Sequence, residues 1–148
     1  MATTPTLTQT LFTSPFNHTT DFTELADNCE RFAEVLAECE DPQQKMALYG
    51  RLSACLALLQ PTLLEPVPQG LKASLTVENI PTYTPSFDPD SDQLCSYCQA
   101  ITQLLMSNTL APASESIFRE LLYMLVAFFA DILKAPRWLK QGQEIFDL

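Results

Sequence analysis

The sequence predicts a mainly α, four-helix bundle-like fold: two αα-hairpins joined by a long proline-rich crossover, with at most a small β element. Three observations lead there. Of 148 residues, 47% are hydrophobic, enough for a core that buries roughly 70% of the unfolded surface without metals or disulfides. Eleven prolines against three glycines disfavour tight hairpins and phosphate-cradling loops and place stiff connections between helices. Apolar residues recur at three- and four-residue steps in several separate stretches, the spacing of a helix face.

Taken in order, the chain reads as a Thr-rich N-terminal tail or edge strand over 1–20, one helical domain over 21–135 with its crossover at 61–89, and a C-terminal tail over 136–148. Residues 6–13 have the β-branched bias of a strand. A first helix starts at Asp21, whose carboxylate suits the free amides of a first turn, with Glu24 three residues on in a capping-box-like pattern. Phe22, Leu25, Cys29, Phe32, Leu36 and Cys39 then follow at steps of 3, 4, 3, 4 and 3, so an apolar seam runs along it.

Asp41-Pro42-Gln43-Gln44 is a second start signal, a capping acid followed by proline where a missing N–H is harmless. Leu48, Leu52, Cys55 and Leu59, flanked by Tyr49 and Leu56, carry the stripe to Pro61. So short a connection predicts an antiparallel αα-hairpin. Gly50 inside this helix costs about 1 kcal/mol relative to Ala, which predicts that a neighbouring helix comes close there.

Six prolines from Pro61 to Pro89 exclude a helix of useful length. Within that stretch Leu71, Ala73, Leu75 and Val77 alternate with Lys72, Ser74, Thr76 and Glu78, a period of two that predicts a short half-buried strand. Its partner would be 62–67, the N-terminal threonine segment, or the same strand of a second copy. Residues 88–93, rich in Asp around Pro89, reopen helical structure, and Leu94, Cys98, Ile101, Leu104 and Leu105 form one face. From 114 to 135 the pattern is apolar almost all round, so that helix needs cover on most sides, from the bundle or from an oligomer interface. Pro136 ends it, and Trp138, Leu139, Ile145, Phe146 and Leu148 follow around Gly142.

Charge narrows the function classes. A net charge of −10 and a pI near 4.3, with eight scattered Lys and Arg, speak against direct nucleic-acid binding, which needs clustered cations. The longest apolar run, 121–130, is about half of what spans a bilayer, so no membrane segment is expected. Five cysteines, an odd number, and the lack of a basic and apolar leader predict reduced thiols and a cytoplasmic location.

Catalytic templates find little to build on. The Cys95-Ser96-Tyr97-Cys98 pair lies near a helix start, where a thiol can be activated, but zinc needs four ligands and no second close pair exists. Cys29, Cys39 and Cys55 fall on apolar seams as small hydrophobes. His18 is the only histidine and has no nucleophile placed beside it. No Walker, dinucleotide, zincin or nucleophile-elbow pattern occurs. The expectation is a non-enzyme with no catalytic residues, metal or cofactor.

The densest signal is acid. Between 21 and 41 eight acidic residues face one base, Arg31. Among them Asp27, Glu30, Glu34, Glu38 and Asp41 recur at three- and four-residue steps, each like pair costing roughly 0.2–0.5 kcal/mol. A solvated face explains part of this, and Glu38, Glu40 and Asp41 favour the positive start of the second helix. Glu34 and Glu38, however, also sit toward the negative end of the first helix, and a basic partner would relieve both penalties. The leading expectation is therefore a non-enzymatic, acidic, helical protein-binding regulator or inhibitor. It would act through those five residues on a basic protein, including one that itself binds nucleic acid; accessory proteins of phages or mobile elements offer an analogy. The alternative is a self-associating assembly or scaffold protein, in which Phe128, Phe129, Trp138 and Phe146 form an oligomer or partner interface and the chain is a homodimer.

Overall fold

The computed structural model describes Leu11 and residues 13–148. It is mainly helical with one small sheet, and it divides into two compact units, Met1–Ile80 and Pro81–Leu148. Each is built on an αα-hairpin, the packing unit of helical bundles.

In the first unit α1 (Phe22–Glu38) packs against α2 (Pro42–Thr62). Both start where acid side chains cap them. The Asp21 carboxylate accepts from the amides of Thr23 (2.8 Å) and Glu24 (3.0 Å) and from the Thr23 hydroxyl (2.5 Å). The Thr23 hydroxyl first, then the Glu24 amide, hold its carboxyl below the usual range. The Asp41 carboxylate accepts from the Gln44 amide at 3.2 Å, and Pro42 occupies the first position of α2. Leu25, Phe32, Leu48 and Cys55 are buried together, with half-buried Cys29, Leu36, Leu52 and Leu59 around them. Full burial of a side chain such as Phe32 contributes about 1.5–3 kcal/mol.

Leu11 belongs to the same core. The Phe16 ring meets Phe32 edge-on, centroids 6.1 Å apart, and the Arg51 guanidinium lies 4.3 Å from the Phe16 centroid while donating to the Ser14 carbonyl. Residues 13–20 are thus drawn onto the hairpin by apolar packing and one cation. Of the strand expected over 6–13, residues 6–10 and 12 lie outside the described residues, and Leu11 and Thr13 are helical.

Two expectations for this unit are corrected. Gly50 faces open space, with no atom within 4 Å of where a Cβ would stand. It comes two residues after buried Leu48, about 200° round the helix, so it looks away from α1 and accommodates no close approach. The strand expected over 71–77 does not form. A 3₁₀ turn at Gln69–Leu71 is followed by local bonds, Leu75 N–H to the Leu71 carbonyl (3.1 Å) and Thr76 N–H to that of Ala73 (3.3 Å). The Ser74 and Thr76 hydroxyls also donate back to the carbonyls of Leu71 and Lys72. Alternation stabilises a strand only with a partner to pair it. Here Thr62 belongs to α2, Pro66 and Pro68 lack amide donors, and local side-chain bonds win.

In the second unit α3 (Ser91–Met106) packs against α4 (Pro112–Lys134). Asp90 closes a full capping box: its carboxylate accepts from the Gln93 amide at 2.8 Å, and its own amide donates to the Gln93 side chain at 3.0 Å. α3 buries Leu94 and Cys98. Phe118, Leu122, Leu125 and Phe129, at steps of 4, 3 and 4, are half-buried on α4, and no residue of α4 is fully buried. The cover expected on most sides of that helix is therefore not supplied within its unit.

The C-terminal tail is a β-hairpin: β1 (Trp138–Gln141) pairs antiparallel with β2 (Glu144–Asp147), Trp138 opposite Asp147 and Leu139 opposite Phe146. Gly142 has φ +65°, which glycine adopts without a steric penalty, and this permits the two-residue turn. The small β element thus sits at the end of the chain instead of in the crossover.

Candidate functional site

The acidic row is built by α1. At about 100° per residue Asp27, Glu30, Glu34 and Glu38 fall within an arc of about 80°, opposite the buried Leu25 and Phe32. All four, and Asp41 beyond the helix end, are exposed. Arg31 lies beside them, but its Nε donates to the Asp27 backbone carbonyl at 3.4 Å. Among the described residues the ion pair within 4.0 Å is Arg119–Glu115 in the other unit, at 3.8 Å, an exposed pair worth at most about 1 kcal/mol. Among the described residues none of these carboxylates therefore has an ion-pair partner within 4.0 Å, and Arg31 is the one base on α1. Asp41 differs from the others, because its carboxylate is engaged at the start of α2.

Two polar residues on the core side of the hairpin escaped the charge-based reading. Asn28 is buried on the core side of α1; its Nδ2 donates to the Glu24 carbonyl at 2.8 Å, and its Oδ1 has no partner among the described residues. Its position three residues after Leu25 and four before Phe32, within the seam, was the available signal. Arg51 on α2 sits against the Phe16 and Phe32 rings, with its Nε likewise unpartnered. A concavity of about 290 Å³ opens between α1 and the preceding segment, lined by Ser14, Pro15, Thr20, Glu24, Asp27, Asn28 and Arg31. Another, about 380 Å³, lies at the α1–α2 turn beside Glu38, Cys39 and Gln44.

The cysteines are all free. Cys55 is fully buried and its Sγ donates to the Leu25 carbonyl at 3.3 Å. Burial, helped by the neighbouring Cys29 thiol and opposed by Arg51, pushes the Cys55 thiol up to about 11. Cys98 is buried beside Leu94 and Cys95 is half-buried, both on α3. Among the described residues no three His, Cys, Asp or Glu gather as a metal set.

Of the four apolar residues expected at an interface, Phe128 is 40% exposed, Trp138 63% and Phe146 45%, while Phe129 is half-buried. Phe87 from the crossover lies 6.3 Å from the Phe128 ring, and Phe146 is opposite Leu139 in the hairpin. Among the described residues no helix is long and apolar enough to cross a membrane. Comparison of the chain with protein-family models, curated proteins and solved structures gave no match in any of the three.

Proposed function

We propose that this is a non-enzymatic, cytoplasmic regulator or inhibitor that presents the acidic face of α1 to a basic protein partner. The observation that carries the reading is the row Asp27, Glu30, Glu34 and Glu38: exposed, on the side opposite the core, beside a single base, Arg31, and without an ion pair within 4.0 Å among the described residues. Such a row repels itself. A partner bearing Lys and Arg removes that repulsion and is steered in by the same field, so association should slow as salt rises. The cytoplasmic location rests on five free thiols. The test is capture of basic partners from the native cell by the wild-type chain and by Glu30→Gln/Glu34→Gln/Glu38→Gln. Loss of capture in the variant and at high salt supports the reading; capture indifferent to both removes it.

A second reading, self-association as an assembly or scaffold protein, is favoured by the apolar side chains that the second unit leaves exposed on α4 and the hairpin, including Tyr123, Met124, Trp138 and Ile145. It predicts a dimer or larger species that persists at high salt. A monomer at micromolar concentration by light scattering removes it.

A further inference from the structure

We propose that residues 83–89 add as an edge strand to β1 of a second copy, so that two chains exchange this segment reciprocally; this rests on the second reading above, self-association, and names the strands that carry it. From Tyr83 to Asp90 the chain contains no helix, turn or bend, and among the described residues no backbone group of 83–89 is hydrogen-bonded. Tyr83 is 75% exposed, and Phe87, although its ring lies 6.3 Å from that of Phe128, is 62% exposed. Side chains alternate between the two faces of an extended chain, so Tyr83, Pro85, Phe87 and Pro89 form an apolar face and Thr84, Ser86 and Asp88 a polar one. Backbone amides alternate between the two edges in the same way. Pro85 and Pro89 lack the amide on one edge, whereas Thr84, Ser86 and Asp88 supply a complete row on the other. A segment of this kind pairs on one side only, the placement that proline allows in edge strands.

The β-hairpin offers the matching edge. Neither β1 nor β2 packs on α3 or α4, every residue of both strands is exposed, and a two-stranded ribbon is marginal until a third strand joins it. The Leu148 amide donates to the Arg137 carbonyl at 3.0 Å. By the alternation of an antiparallel ladder, Trp138 and Lys140 therefore turn their N–H and C=O groups to the outer edge of β1. Setting Ser86 opposite Lys140 and Asp88 opposite Trp138 satisfies those groups with the amide-bearing edge of the segment. The same register brings Phe87 opposite Leu139, which already faces Phe146, so the hydrogen-bonding edge and the apolar face are matched together. Charge selects β1 over β2: Asp88 falls diagonal to Lys140 on the β1 edge but would share its face with a neighbouring Asp147 on the β2 edge. Within one chain the segment and β1 are not paired. Phe87 lies by α4 while the hairpin stands clear of that helix, which leaves the edge to a second copy. Once added, the segment turns its proline edge outward, which stops further strands from joining there and lets a two-fold exchange close.

The experiment is sedimentation equilibrium of the full chain at high salt, with the emission of Trp138, the only tryptophan, read in parallel. Wild type should dimerise at micromolar concentration, its emission moving to the blue as the dimer forms. Ser86→Pro removes an amide from the pairing edge and Tyr83→Pro one from the other edge; both positions are exposed and free of backbone bonds, so the fold tolerates either. Ser86→Pro should weaken dimerisation about thirtyfold or more, since each of two symmetric contacts loses a bond, and Tyr83→Pro by no more than about threefold. Lys140→Pro, whose lost N–H faces away from β2, should weaken it as Ser86→Pro does. An equimolar mixture of Ser86→Pro and Lys140→Pro chains restores one of the two exchanges, and should give a heterodimer at concentrations where neither variant associates alone. Equal effects of Ser86→Pro and Tyr83→Pro, or a mixture that stays monomeric beside a wild-type dimer, would overturn the exchange. A dimer indifferent to both Ser86→Pro and Lys140→Pro leaves self-association standing and removes the strand pairing. A wild-type monomer at micromolar concentration removes both, and if its Trp138 emission still responds to Ser86→Pro the pairing lies within one chain, which overturns the second copy as occupant.

Discussion

Neutralising Glu30, Glu34 and Glu38 should make the protein more stable even as it weakens partner capture. The three substitutions break three like-charge contacts along α1, Asp27 with Glu30, Glu30 with Glu34, and Glu34 with Glu38, against one opposite-charge neighbour, Arg31 with Glu34. Each is worth roughly 0.2–0.5 kcal/mol. Glu38 also occupies the last position of a helix whose final turn contains no base, where an acid opposes the negative dipole end by about 0.3–1 kcal/mol. Gln and Glu have similar helix propensities, so the backbone contributes little. The expected gain is about 1–2 kcal/mol at low salt. Urea unfolding of both proteins, at about 0.01 M and about 1 M salt, measures it, with the slope against urea unchanged between them. The Debye length falls to roughly 3 Å at the higher salt, shorter than the distance between neighbouring carboxylates, so most of the gain should vanish there. A variant no more stable than wild type, or a gain equal at both salts, would refute the argument that repulsion among these acids outweighs the attraction of Arg31.

Three further outcomes follow from the packing. Asp90→Ala, which opens the capping box of α3, should cost about 1 kcal/mol in unfolding experiments; an unchanged midpoint would mean the box is not formed in solution. Arg51→Ala removes the cation over Phe16 and Phe32 together with the bond to Ser14, so amide exchange over 16–20 should accelerate about tenfold or more, and unchanged exchange would show that apolar packing alone holds that segment. Cys55 makes stability depend on alkaline pH. Its thiol is raised in the folded chain from 9.0 to about 11, so its contribution is complete below about pH 9 and is lost as pH climbs through the folded value. Cys55→Ala should lower stability overall but flatten that slope, and a slope identical to wild type would assign the dependence to other groups.

Helix starts were legible because their chemistry is local. Asp21 and Asp41 before Pro42 declare themselves within four residues and both cap helices, although the Glu24 side chain does not close the box with Asp21; the third start was legible only as acid around Pro89 over 88–93, and it is Asp90 that caps, with Gln93 closing the box. The acidic row was legible for the same reason, since spacing alone decides which side chains share a face. What required a partner was not legible. Leu71, Ala73, Leu75 and Val77 alternate as a strand would, yet no neighbour offers a ladder and the backbone bonds to itself. The hairpin at 138–147 was missed for the converse reason: two four-residue runs around Gly142 are too short to show a period, and pairing between them makes the strands. Gly50 was read as a point of close approach on composition, whereas its angular position relative to Leu48 sends it outward. Asn28 went unnoticed because a seam defined by apolar residues hides a polar member.

The engagement of Asp41 with the Gln44 amide ties the far end of the acidic row to the architecture of α2. A charge there cannot be reversed to lysine without also disturbing the next helix, so surface redesign at this residue carries a folding penalty that Glu30 or Glu34 would not incur. Asparagine retains an oxygen for the amide while discarding the charge, which makes this one atom the place where electrostatic attraction and chain architecture separate cleanly.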